Sequence, residues 1–451
     1  MTTAAWTTLS LDTVTHTRAR KWTTLQAIAA DDTGYLHACW VEGIGSTPKR
    51  VLYSRRPPGG AWNVAETVGT GSDTRAALAV ETRTGRAHIA WAAILGDTTD
   101  LCYSTNSAGP WQTFRITSDT VPDFAPSIAL ENDSVPHIAW ITREPGVAYR
   151  IGYATNRTGV WTASRLSQSQ LGQFGSGAQP FLAISPSGRA HAGYRGGDYG
   201  DYHIHHAENS APGDTHWVYE ILTTGNLNDF TAALAAKAQE ELALVCSGND
   251  YWGAPFRTYY LHRPAGSSVW DPAELMTASA SATLEGFCVD GNNVHATWQV
   301  VNGNVLAEQI WHVSDSAGYW FNSPVRADSH TSRGALAVDR NHCGHALVVI
   351  ETPADTELYC INSAPLTGIE DERQSLTRPS PLIARVPVRF RLDIAATDVI
   401  VYSSDGRIQT RLRPRNGVVH WNGLGPDGRS APSGLYLFRT ESLSIPVIVV
   451  R

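Results

Sequence analysis

The sequence of 451 residues is poor in charge, since only 17% of its residues are Asp, Glu, Lys or Arg. Lysine is nearly absent: Lys21, Lys49 and Lys237 are its only copies, so arginine supplies most of the positive charge. The net charge of −7 offers no basic surface for nucleic acid. No apolar run reaches the ~20 residues that span a bilayer. Residues 1–13 lack the charged and apolar regions of a signal peptide. We therefore expect no nucleic-acid partner and no transmembrane segment.

The sequence does contain many turn formers and aromatic residues, with 39 Gly, 24 Pro and 15 Trp. This composition is typical of a strand-rich and loop-rich globular protein. A short phrase, residues 85–91 (Gly-Arg-Ala-His-Ile-Ala-Trp), recurs along the chain. Its copies lie at 34–40 and 135–140, and weaker copies lie at 188–194 and 293–298. A copy without histidine lies at 241–246, and a degenerate copy lies at 344–348. A period of about 50 residues built from short strands predicts the blades of a β-propeller.

Each repeat is predicted to hold four strands. Strand 1 is small and apolar, as the crowded axis of a propeller requires, and strand 2 is the His-containing phrase. One column of strand 1 reads Ala27, Ala77, Ser127, Phe181, Ala233, Gly286 and Ala335. Strand 3 carries an aromatic residue, predicted to be Tyr53, Tyr103, Tyr153, His206, Tyr260, Trp311 and Tyr359. Strand 4 opens with a tryptophan that is expected to fill the gap between blades.

The hairpins before these tryptophans share an Asx and a glycine, at 106–111, 156–161 and 315–320. They resemble, in degenerate form, the Asp-box turn of sialidase-like (BNR) propellers. The resemblance implies that the Asx side chain bonds backbone amides of the turn while the glycine takes positive φ. It does not imply sialidase activity, because those enzymes have six blades and their arginine triad with its Tyr/Glu pair has no match in this sequence.

Seven repeats can be counted, but the seventh lacks its tryptophan strand. The segment Ala5–Leu11 at the other end of the chain matches Pro110–Ile116, an outer strand. We therefore predict an all-β, seven-bladed propeller over residues 1–368. In it the N-terminal strand, with Trp6, completes the blade that contains Leu336 and Tyr359. Such closure leaves no exposed sheet edge inside the ring.

The C-terminal part has a different pattern. Residues 369–380 are polar and proline-flanked, which predicts a linker, and 381–451 alternate strands with Asp-Gly turns, which predicts a small β-sandwich around Phe390, Trp421, Tyr436 and Phe438. This segment resembles the Ig-like domain of the flagellar hook-capping protein and of type IX secretion cargo. The matching motifs are two Asp-Gly-Arg turns, Trp-x-Gly, Pro-Ser-Gly-x-Tyr and the ending Val-Val-Arg; Ser444–Pro446 depart from the usual lysine-containing strand. The resemblance implies a secreted or cell-surface bacterial protein that meets secretion machinery.

The six cysteines are irregularly spaced, which is not a metal-binding pattern. Cys39, Cys246 and Cys288 lie in apolar strands and are predicted to be buried thiols. Cys343 and Cys360, at opposing ends of two strands in the last repeat, form the one candidate disulfide. His203 and His205 could bind a metal, but no further ligands are evident. The sequence thus predicts no metal and no cofactor.

The recurring histidines, tyrosines and tryptophans are expected to stabilise the blades, because a residue repeated in every blade serves the repeat. Function is expected where the repeat breaks, on the face formed by the 2–3 and 4–1 connections around the channel mouth. Blades 4 and 5 depart furthest, and their connections are rich in aromatic and charged residues. The predicted ligand-binding residues are Arg195, Asp198, Tyr199, Asp201, Tyr202, His203, Asn249, Asp250, Tyr251, Trp252 and Arg257.

Two further observations accompany this site. The residues that open strand 3 form a polar ring, predicted as Arg50, Asp100, Arg150, His203, Arg257 and Glu308, which His16, Arg18 and Arg20 join from the loop before blade 1. His205 stands where the other repeats are predicted to have Leu52, Cys102, Gly152, Ile310 and Leu358. The plain alternative is that these are solvated polar loops.

Two functions remain open. The first is a propeller that binds a glycan or another extracellular protein through aromatic stacking and bidentate hydrogen bonds. The second is a carbohydrate-active enzyme, most simply a polysaccharide lyase, in which arginine neutralises a uronate carboxylate while tyrosine or histidine moves the α-proton. Its catalytic candidates are His203, His205, Tyr199, Tyr202, Arg195 and Arg257. Convergence of these groups in one deep pocket would favour the enzyme, and a shallow polar rim would favour binding.

Overall fold

The computed structural model is built almost wholly from antiparallel strands, with one short 3₁₀ turn at Ala238–Glu240. No helix among the residues it describes is long and apolar enough to cross a membrane. The described residues are 6, 11–15, 20–24, 26–43, 48–143, 149–166, 179–198, 201–213, 216–223, 228–249, 257–276, 282–301, 308–315, 320–326, 331–351, 356–365, 382–385, 388–391, 399–403, 408–413, 418–425, 429–439 and 444–450.

Seven sheets form the blades, which confirms the seven-bladed propeller. Six of them have strands 1 to 4 in sequence order, with strand 1 of blade 1 in two segments, and in blade 7 the N-terminal strand supplies strand 4. Blade 1 consists of Arg20–Trp22 with Ile28–Ala30, Leu36–Gly43, Arg50–Arg56 and Glu66–Thr70. Blade 2 consists of Ser72–Val80, Ala87–Leu95, Thr98–Thr105 and Gln112–Arg115. Blade 3 consists of Asp123–Glu131, Val135–Arg143, Tyr149–Thr155 and Thr162–Arg165. Blade 4 consists of Phe181–Ile184, Ala190–Asp198, Asp201–Asn209 and Trp217–Ile221.

The remaining blades repeat this order. Blade 5 consists of Asn228–Ala236, Leu242–Asn249, Arg257–Arg263 and Glu274–Leu275. Blade 6 consists of Ala282–Asp290, Asn293–Val301, Glu308–Ser314 and Phe321–Arg326. Blade 7 consists of Thr331–Val338, Cys343–Glu351, Thr356–Pro365 and the N-terminal Leu11–Thr15. We call the end with the 1–2 turns and 3–4 hairpins the hairpin face, and the end with the 2–3 and 4–1 connections the channel-mouth face.

Small residues in strand 1 allow the blades to converge at the axis. The side chain of Gln26 in blade 1 reaches the backbone of Ile128, two blades away: its Nε2 donates to the carbonyl at 3.0 Å and its Oε1 accepts from the amide at 3.2 Å. At Gly286 in blade 6, an added Cβ would lie 2.4 Å from the carbonyl oxygen of Gly334 in blade 7. A larger residue at Gly286 would therefore push blades 6 and 7 apart, whereas blade 4 accommodates Phe181 at the same position of strand 1 opposite Gly193.

The buried hydrophobic residues link each blade to the next around the whole ring. Separate clusters join blades 1 and 2, 2 and 3, 3 and 4, 4 to 6, 6 and 7, and 7 and 1. The tryptophan before strand 4 packs on the strand-3 ring of the preceding blade, with centroids 5.0–5.4 Å apart in six such contacts. This confirms that the tryptophans fill the gaps between blades, where each ring buries a large apolar area.

The N-terminal strand closes the ring in the predicted blade. Leu11–Thr15 pairs with strand 3 of blade 7, and Trp6 is buried against blades 6 and 7. The pairing differs in register from the sequence match. In blade 2, Tyr103 pairs with Phe114, three residues after Trp111. Cys360, which occupies the same place in blade 7, pairs with Asp12, six residues after Trp6. Trp6 therefore lies before the paired segment rather than within it.

The Asx residues of the hairpins bond strand 2 rather than the turn. Asn106 Oδ1 accepts from the amide of Ala87 at 2.8 Å, and Gly109 takes a φ of 105°. In blade 3 the corresponding donor is lost because Pro136 has no N–H, and Asn156 Oδ1 is buried without a hydrogen-bond partner. The predicted bond from the Asx oxygen to amides of its own hairpin was therefore wrong for Asn106, whose oxygen accepts from the first amide of strand 2.

The predicted strand-3 column is shifted by one residue in the last two blades. Strand pairing puts His312 and Cys360, not Trp311 and Tyr359, opposite the residue two after the strand-2 histidine. The same shift replaces Glu308 by Gln309 in the polar ring. Aromatic residues occupy both neighbouring positions in blade 6, so sequence matching alone selected the wrong one.

The cysteines are all free thiols, and each lies among the described residues. Cys39 and Cys246 are buried as predicted, and Cys288 is half-buried. The candidate disulfide was wrong. Cys343 pairs with Pro365, whereas Cys360 pairs with Leu347, four residues further along the strand. At about 3.4 Å per residue this separates the two cysteines by roughly 13 Å, beyond the reach of a bridge.

Contacts divide the chain into two compact units, and the second contains the strands from Leu382 onward. Its larger sheet has five strands, Leu382–Arg385, Ser444–Val450, Gly434–Arg439, Val399–Ser403 and Ile408–Leu412, and a smaller sheet pairs Val388–Arg391 with Val418–Trp421. Trp421, Tyr436 and Phe438 are buried, with ring centroids 4.9 and 5.6 Å from Trp421. The side chain of Phe390 lies outside the described residues. The exact domain limits and the linker stay predictions.

Candidate functional site

The recurring histidines form a buried hydrogen-bond network at the hairpin face of blades 1 to 3. In each of these blades the histidine Nδ1 contacts the tyrosine hydroxyl of strand 3 at 2.5–2.6 Å. The Nε2 contacts a carboxylate at the end of strand 1 at 3.1–3.3 Å. The three sets are His37, Tyr53 and Asp31; His88, Tyr103 and Glu81; and His137, Tyr153 and Glu131. Burial lowers the pKa of each histidine and raises that of Tyr103 to about 12. A network that repeats in three blades supports the interpretation that these histidines stabilise the fold.

The last blades vary this network. In blade 7 the tyrosine position holds Cys360, and Asn362, two residues further along the strand, takes over the hydrogen bond. Its Oδ1 lies 2.7 Å from His345 Nδ1, and Asp339 occupies the carboxylate position. In blade 5, where the histidine is missing, Lys237 occupies the carboxylate position. Its ammonium donates to the carbonyl of Asn292 at 2.8 Å and lies 3.4 Å from the hydroxyl of Tyr260. Burial lowers the pKa of Lys237.

Beside Lys237 the hairpin face opens into a cleft of about 340 Å³. Its walls combine the lysine with Tyr260, His262 and three carboxylates, Glu241, Asp271 and Glu274. His262 lies 2.8 Å from Asp271 and 3.5 Å from Glu241. The cleft was not predicted from the sequence, because the predicted functional residues all lie on the channel-mouth face. The loss of histidine from one repeat and the rare Lys237 in its place were the available signals.

The predicted channel-mouth site is only partly described. Tyr199, Asp250, Tyr251 and Trp252 lie outside the described residues, as do the side chains of Asp198, Asp201 and Asn249. The same holds for His16, Arg18 and the side chain of Arg20. The described side chains of the site are Arg195, Tyr202, His203 and Arg257, together with the catalytic candidate His205.

Arg195 and Tyr202 form the structured part of this site. They lie on the antiparallel pair formed by strands 2 and 3 of blade 4, where Gly197 pairs with Tyr202. The guanidinium carbon of Arg195 lies 4.3 Å from the centroid of the Tyr202 ring, and both side chains are buried. A cation held over an aromatic face at this distance is stabilised by the ring quadrupole. The stack gives Arg195 a fixed position near the channel mouth.

Arg257 lies across the same gap. On strand 3 of blade 4, Tyr202 alternates in step with Ile204 and His206; His206 packs on Trp270 of blade 5, so this side of the strand faces blade 5. On strand 3 of blade 5, Tyr260 packs on Trp320 of blade 6. Arg257 is three residues before Tyr260, so the alternation directs it back toward blade 4. Arg257 is exposed. Arg195, on blade 4, and Arg257, on blade 5, therefore both face the gap between these two blades at the channel mouth, which we call the groove.

The two histidines do not join this groove. Strand alternation turns His203 and His205 toward blade 3, away from Arg195 and Tyr202. His205 stacks on Tyr194 at 5.4 Å, over Gly196, where a Cβ would lie 2.6 Å from the imidazole. Burial, with His203 nearby, lowers the pKa of His205 to about 4. The predicted break in register is also weaker than expected, because Trp311 stacks on Trp298 in the corresponding way in blade 6.

Two other members of the polar ring form ion pairs with neighbouring residues. Arg50 donates to Glu42 at 2.5 Å, and Asp100 accepts from Arg115 at 2.6 Å. Near them, Asp123 is buried at the start of blade 3 and accepts from the indole N–H of Trp140 at 2.8 Å. Burial raises the pKa of Asp123 to about 6. Burial of this carboxyl could not be predicted, because in the sequence Asp123 is an ordinary polar residue before a strand.

No protein-family model and no curated protein matches the sequence. Among solved structures, the fold is similar to that of the polysaccharide lyase Uly1, at 12% identity and a TM-score of 0.47, covering 75% of this chain and 89% of the lyase. A protein of unknown function from Dyadobacter fermentans gives 8% identity and a TM-score of 0.48, covering 78% and 97%. PorZ, a surface component of the type IX secretion system of Porphyromonas gingivalis, gives 14% and 0.43, covering 95% and 59%. At these identities the comparisons show the fold alone.

Proposed function

We propose that this protein is a ligand-binding propeller that recognises an acidic glycan in the groove between blades 4 and 5 at the channel-mouth face. The observation that carries the proposal is the placement of two guanidinium groups, Arg195 on blade 4 and Arg257 on blade 5, which both face that groove. Guanidinium groups recognise carboxylates and sulfates through paired hydrogen bonds, and aromatic rings stack on the apolar faces of sugars.

The arrangement favours binding over catalysis. Tyr202 is buried under the Arg195 guanidinium, and His203 and His205 face the other side of the blade. Among the described groups, Arg195 and Arg257 thus supply positive charge and Tyr202 supports Arg195, but neither His203 nor His205 lies beside Arg195 and Tyr202. The remaining predicted residues, Tyr199, Asp250, Tyr251 and Trp252, stay candidates for the ligand-facing wall.

We place the protein outside the cell, secreted or displayed on the surface. The support for this is the resemblance of residues 381–451 to the sorting domains of type IX secretion cargo. An acidic polysaccharide is also a ligand met outside cells. A protein ligand at the same groove is the other binding outcome, and the experiment below distinguishes it.

The test is a glycan array probed with the full-length chain, followed by titration of the best ligand. We expect acidic glycans to bind in preference to neutral glycans of the same length, with affinity that falls as salt concentration rises. Trp252→Ala should weaken binding at least tenfold and leave the melting temperature nearly unchanged. A large drop in melting temperature with binding intact would place the tryptophan in the fold and the site elsewhere. An array without any acidic glycan signal would contradict the proposal and leave a protein ligand.

One contact favours the second function, a polysaccharide lyase: an arginine and a tyrosine already lie together at Arg195 and Tyr202. In such a reaction the guanidinium would stabilise the charge that develops on the uronate carboxylate while the phenol carries the α-proton. Each glycan that binds should therefore be incubated with the protein and followed by ultraviolet absorbance for unsaturated uronate. Product that disappears in Tyr202→Phe, with binding retained, would replace the binding proposal by the lyase.

A further inference from the structure

At the hairpin face of blade 4 the repeated network is replaced by a group of three metal-ligating side chains. Strand 3 carries His206 where blades 1 to 3 carry tyrosine, and it places Glu208 directly opposite His191 of strand 2. The Nδ1 of His191 lies 3.4 Å from His206 Nε2 and 3.3 Å from a carboxylate oxygen of Glu208. All three ligand atoms lie within 4.8 Å of one another, and both histidines are buried.

We propose that His191, His206 and Glu208 bind a divalent transition-metal ion, with Zn²⁺ as the best fit. Zinc takes histidine nitrogen and carboxylate oxygen at about 2.0–2.2 Å in tetrahedral geometry. Two ligands of one tetrahedron are then about 3.3–3.5 Å apart. The two histidine nitrogens already have this spacing. The Glu208 oxygen at 3.3 Å is Oε2, which also accepts from Arg263, so the carboxylate must turn to present Oε1 or release the arginine. Three protein ligands leave a fourth position for water.

The surroundings orient the ligands as metal sites require. The other ring nitrogen of His206, Nδ1, lies 2.8 Å from Glu220, and Glu220 also accepts from the indole N–H of Trp270. A carboxylate behind a metal-binding histidine fixes the ring and its tautomer and strengthens the nitrogen as a ligand. At the sequence position of the carboxylate of blades 1 to 3, blade 4 has Ser185. His191 Nε2 is buried without a hydrogen-bond partner, so only His206 has such a support.

The positive charge of Arg263 lies close to the proposed site and repels a metal cation. Its guanidinium donates to Glu208 Oε2 at 2.7 Å. Glu208 has a second oxygen for a metal, and Glu220 supplies a second negative charge on the other side of His206. With neutral histidines the cluster carries two carboxylates and one guanidinium, a net charge of about −1, which attracts a cation; the bound divalent ion would leave a net charge of about +1. We therefore expect Arg263→Gln to tighten metal binding rather than weaken it.

Blade 6 provides a natural control within the same molecule. His295 and His312 form the same pair, with Nδ1 and Nε2 3.2 Å apart and rings stacked at 5.4 Å, against 5.5 Å for His191 and His206. Ser314 stands in the place of Glu208. Two stacked histidines without a carboxylate offer only two ligands. The same substitution can therefore be made in both blades with different expected results.

The experiment titrates Zn²⁺ alone into the metal-stripped full-length chain in competition with a chromophoric chelator, and repeats the titration with Co²⁺, whose tetrahedral complexes absorb strongly. We expect one equivalent to bind tightly. His206→Tyr, which restores the tyrosine of blades 1 to 3 and so preserves folding, should weaken this binding at least 100-fold. His312→Tyr in blade 6 and His203→Asn at the channel mouth should leave it unchanged. Glu220→Gln should weaken it 10- to 100-fold.

Two outcomes would overturn the proposal. If the wild-type chain binds no Zn²⁺ under these conditions, the three side chains are a hydrogen-bonded variant of the repeat and nothing more. If wild type and His206→Tyr bind equally, the metal is held by other groups. A melting temperature that rises with Zn²⁺ in wild type but not in a folded His206→Tyr supports the site independently of the titration.

Discussion

At the hairpin face of the propeller, polar side chains repeat from blade to blade and satisfy one another. At the channel-mouth face, the corresponding position of strand 3 varies, with arginine in blades 1, 3 and 5 and Asp100, His203 and Gln309 in blades 2, 4 and 6. His137, for example, is held between Tyr153 and Glu131 with both ring nitrogens in contact, and the sets in blades 1 and 2 copy it. Arg257, at the other face, is exposed and stands where blade 2 has the buried Asp100.

This difference separates two uses of polar groups. Buried polar groups must be paired, because leaving one unpaired costs about 1–3 kcal/mol, so a satisfied network is copied with the fold. Exposed polar groups cost little to change and are free to vary with a ligand. Departures from the repeat are therefore informative at either face. At the hairpin face they occur in blade 4, with His206 and Glu208, and in blade 5, with Lys237.

The strongest test of this distinction is Tyr153→Ala in blade 3. The side chain is buried, packs on Trp217 at 5.0 Å and contacts His137 at 2.6 Å. Truncating a buried aromatic residue costs about 3–5 kcal/mol, and His137 loses its partner. We expect the free energy of unfolding, measured in denaturant, to fall by about 4 kcal/mol. Tyr153→Phe, the control, should lose only about 1–3 kcal/mol. Equal losses in both variants would assign the whole effect to the hydroxyl.

Acid should destabilise the hairpin face next. Burial lowers the pKa of six histidines at this face, His37, His88, His137, His191, His295 and His312, and also that of His205, further along blade 4. The pKa of His295 falls from 6.5 to about 4. Between pH 6.5 and pH 4, His295 is protonated in the unfolded chain and neutral in the folded chain. The free energy of unfolding therefore falls as pH drops below 6.5, and the contribution of His295 to this fall ends near pH 4. His295 alone contributes about 3 kcal/mol to this loss.

The measurement is the free energy of unfolding at pH 7.5 and pH 4.5. A value that stays constant between them would contradict the assignment of buried, neutral histidines. His295→Asn is the matched variant, because it keeps a polar side chain that does not titrate in this range. It should lose less stability than wild type between the two pH values.

Asp123 sharpens the comparison from the other face, because it is a buried polar group at the channel mouth. Its pKa, raised by burial to about 6 from 3.8, gives the opposite sign: its contribution to stability is full below pH 3.8 and is lost as pH rises through 6. We expect Asp123→Asn to stabilise the protein by about 1–3 kcal/mol at pH 7.5 and by much less at pH 4. Asp100→Asn, which breaks the ion pair with Arg115, should destabilise instead. Destabilisation by Asp123→Asn at pH 7.5 would contradict the assignment.

The architecture could be predicted because the residues that define each blade recur at a regular spacing in the sequence. The spacing of His37, His88 and His137, and the match of Ala5–Leu11 to an outer strand, define the blades and the closure of the ring. The errors arose where neighbouring residues share a chemical type. In blade 6 the predicted alignment of strand 3 was wrong by one residue, because Trp311 and His312 are neighbouring aromatic residues. A slip of one residue exchanges the two faces of a strand without changing its composition.

The candidate site was less predictable, for a reason that strand geometry explains. Arg195, Tyr202, His203 and His205 are close in sequence and form one rich motif. In the blade, alternation divides them between two gaps, so His203 and His205 leave the groove that Arg195 and Tyr202 line. Conversely, His191 and Glu208 are 17 residues apart, and strand pairing sets them opposite each other. The His191, His206 and Glu208 cluster is therefore visible from the pairing of neighbouring strands and not from any run of consecutive residues.

The smallest expected change in stability is at Arg257, and there the effect should appear in binding. Arg257 is exposed, so Arg257→Ala should change the free energy of unfolding by no more than about 0.5 kcal/mol. A charge-assisted hydrogen bond to an acidic ligand contributes about 1.5–3 kcal/mol, so affinity should fall at least tenfold. The control is Arg86→Ala at the hairpin face: Arg86 is also exposed, and its guanidinium lies 3.9 Å from Glu81. If the two variants weaken glycan binding equally, the effect is one of net charge, and the groove between blades 4 and 5 is not the site.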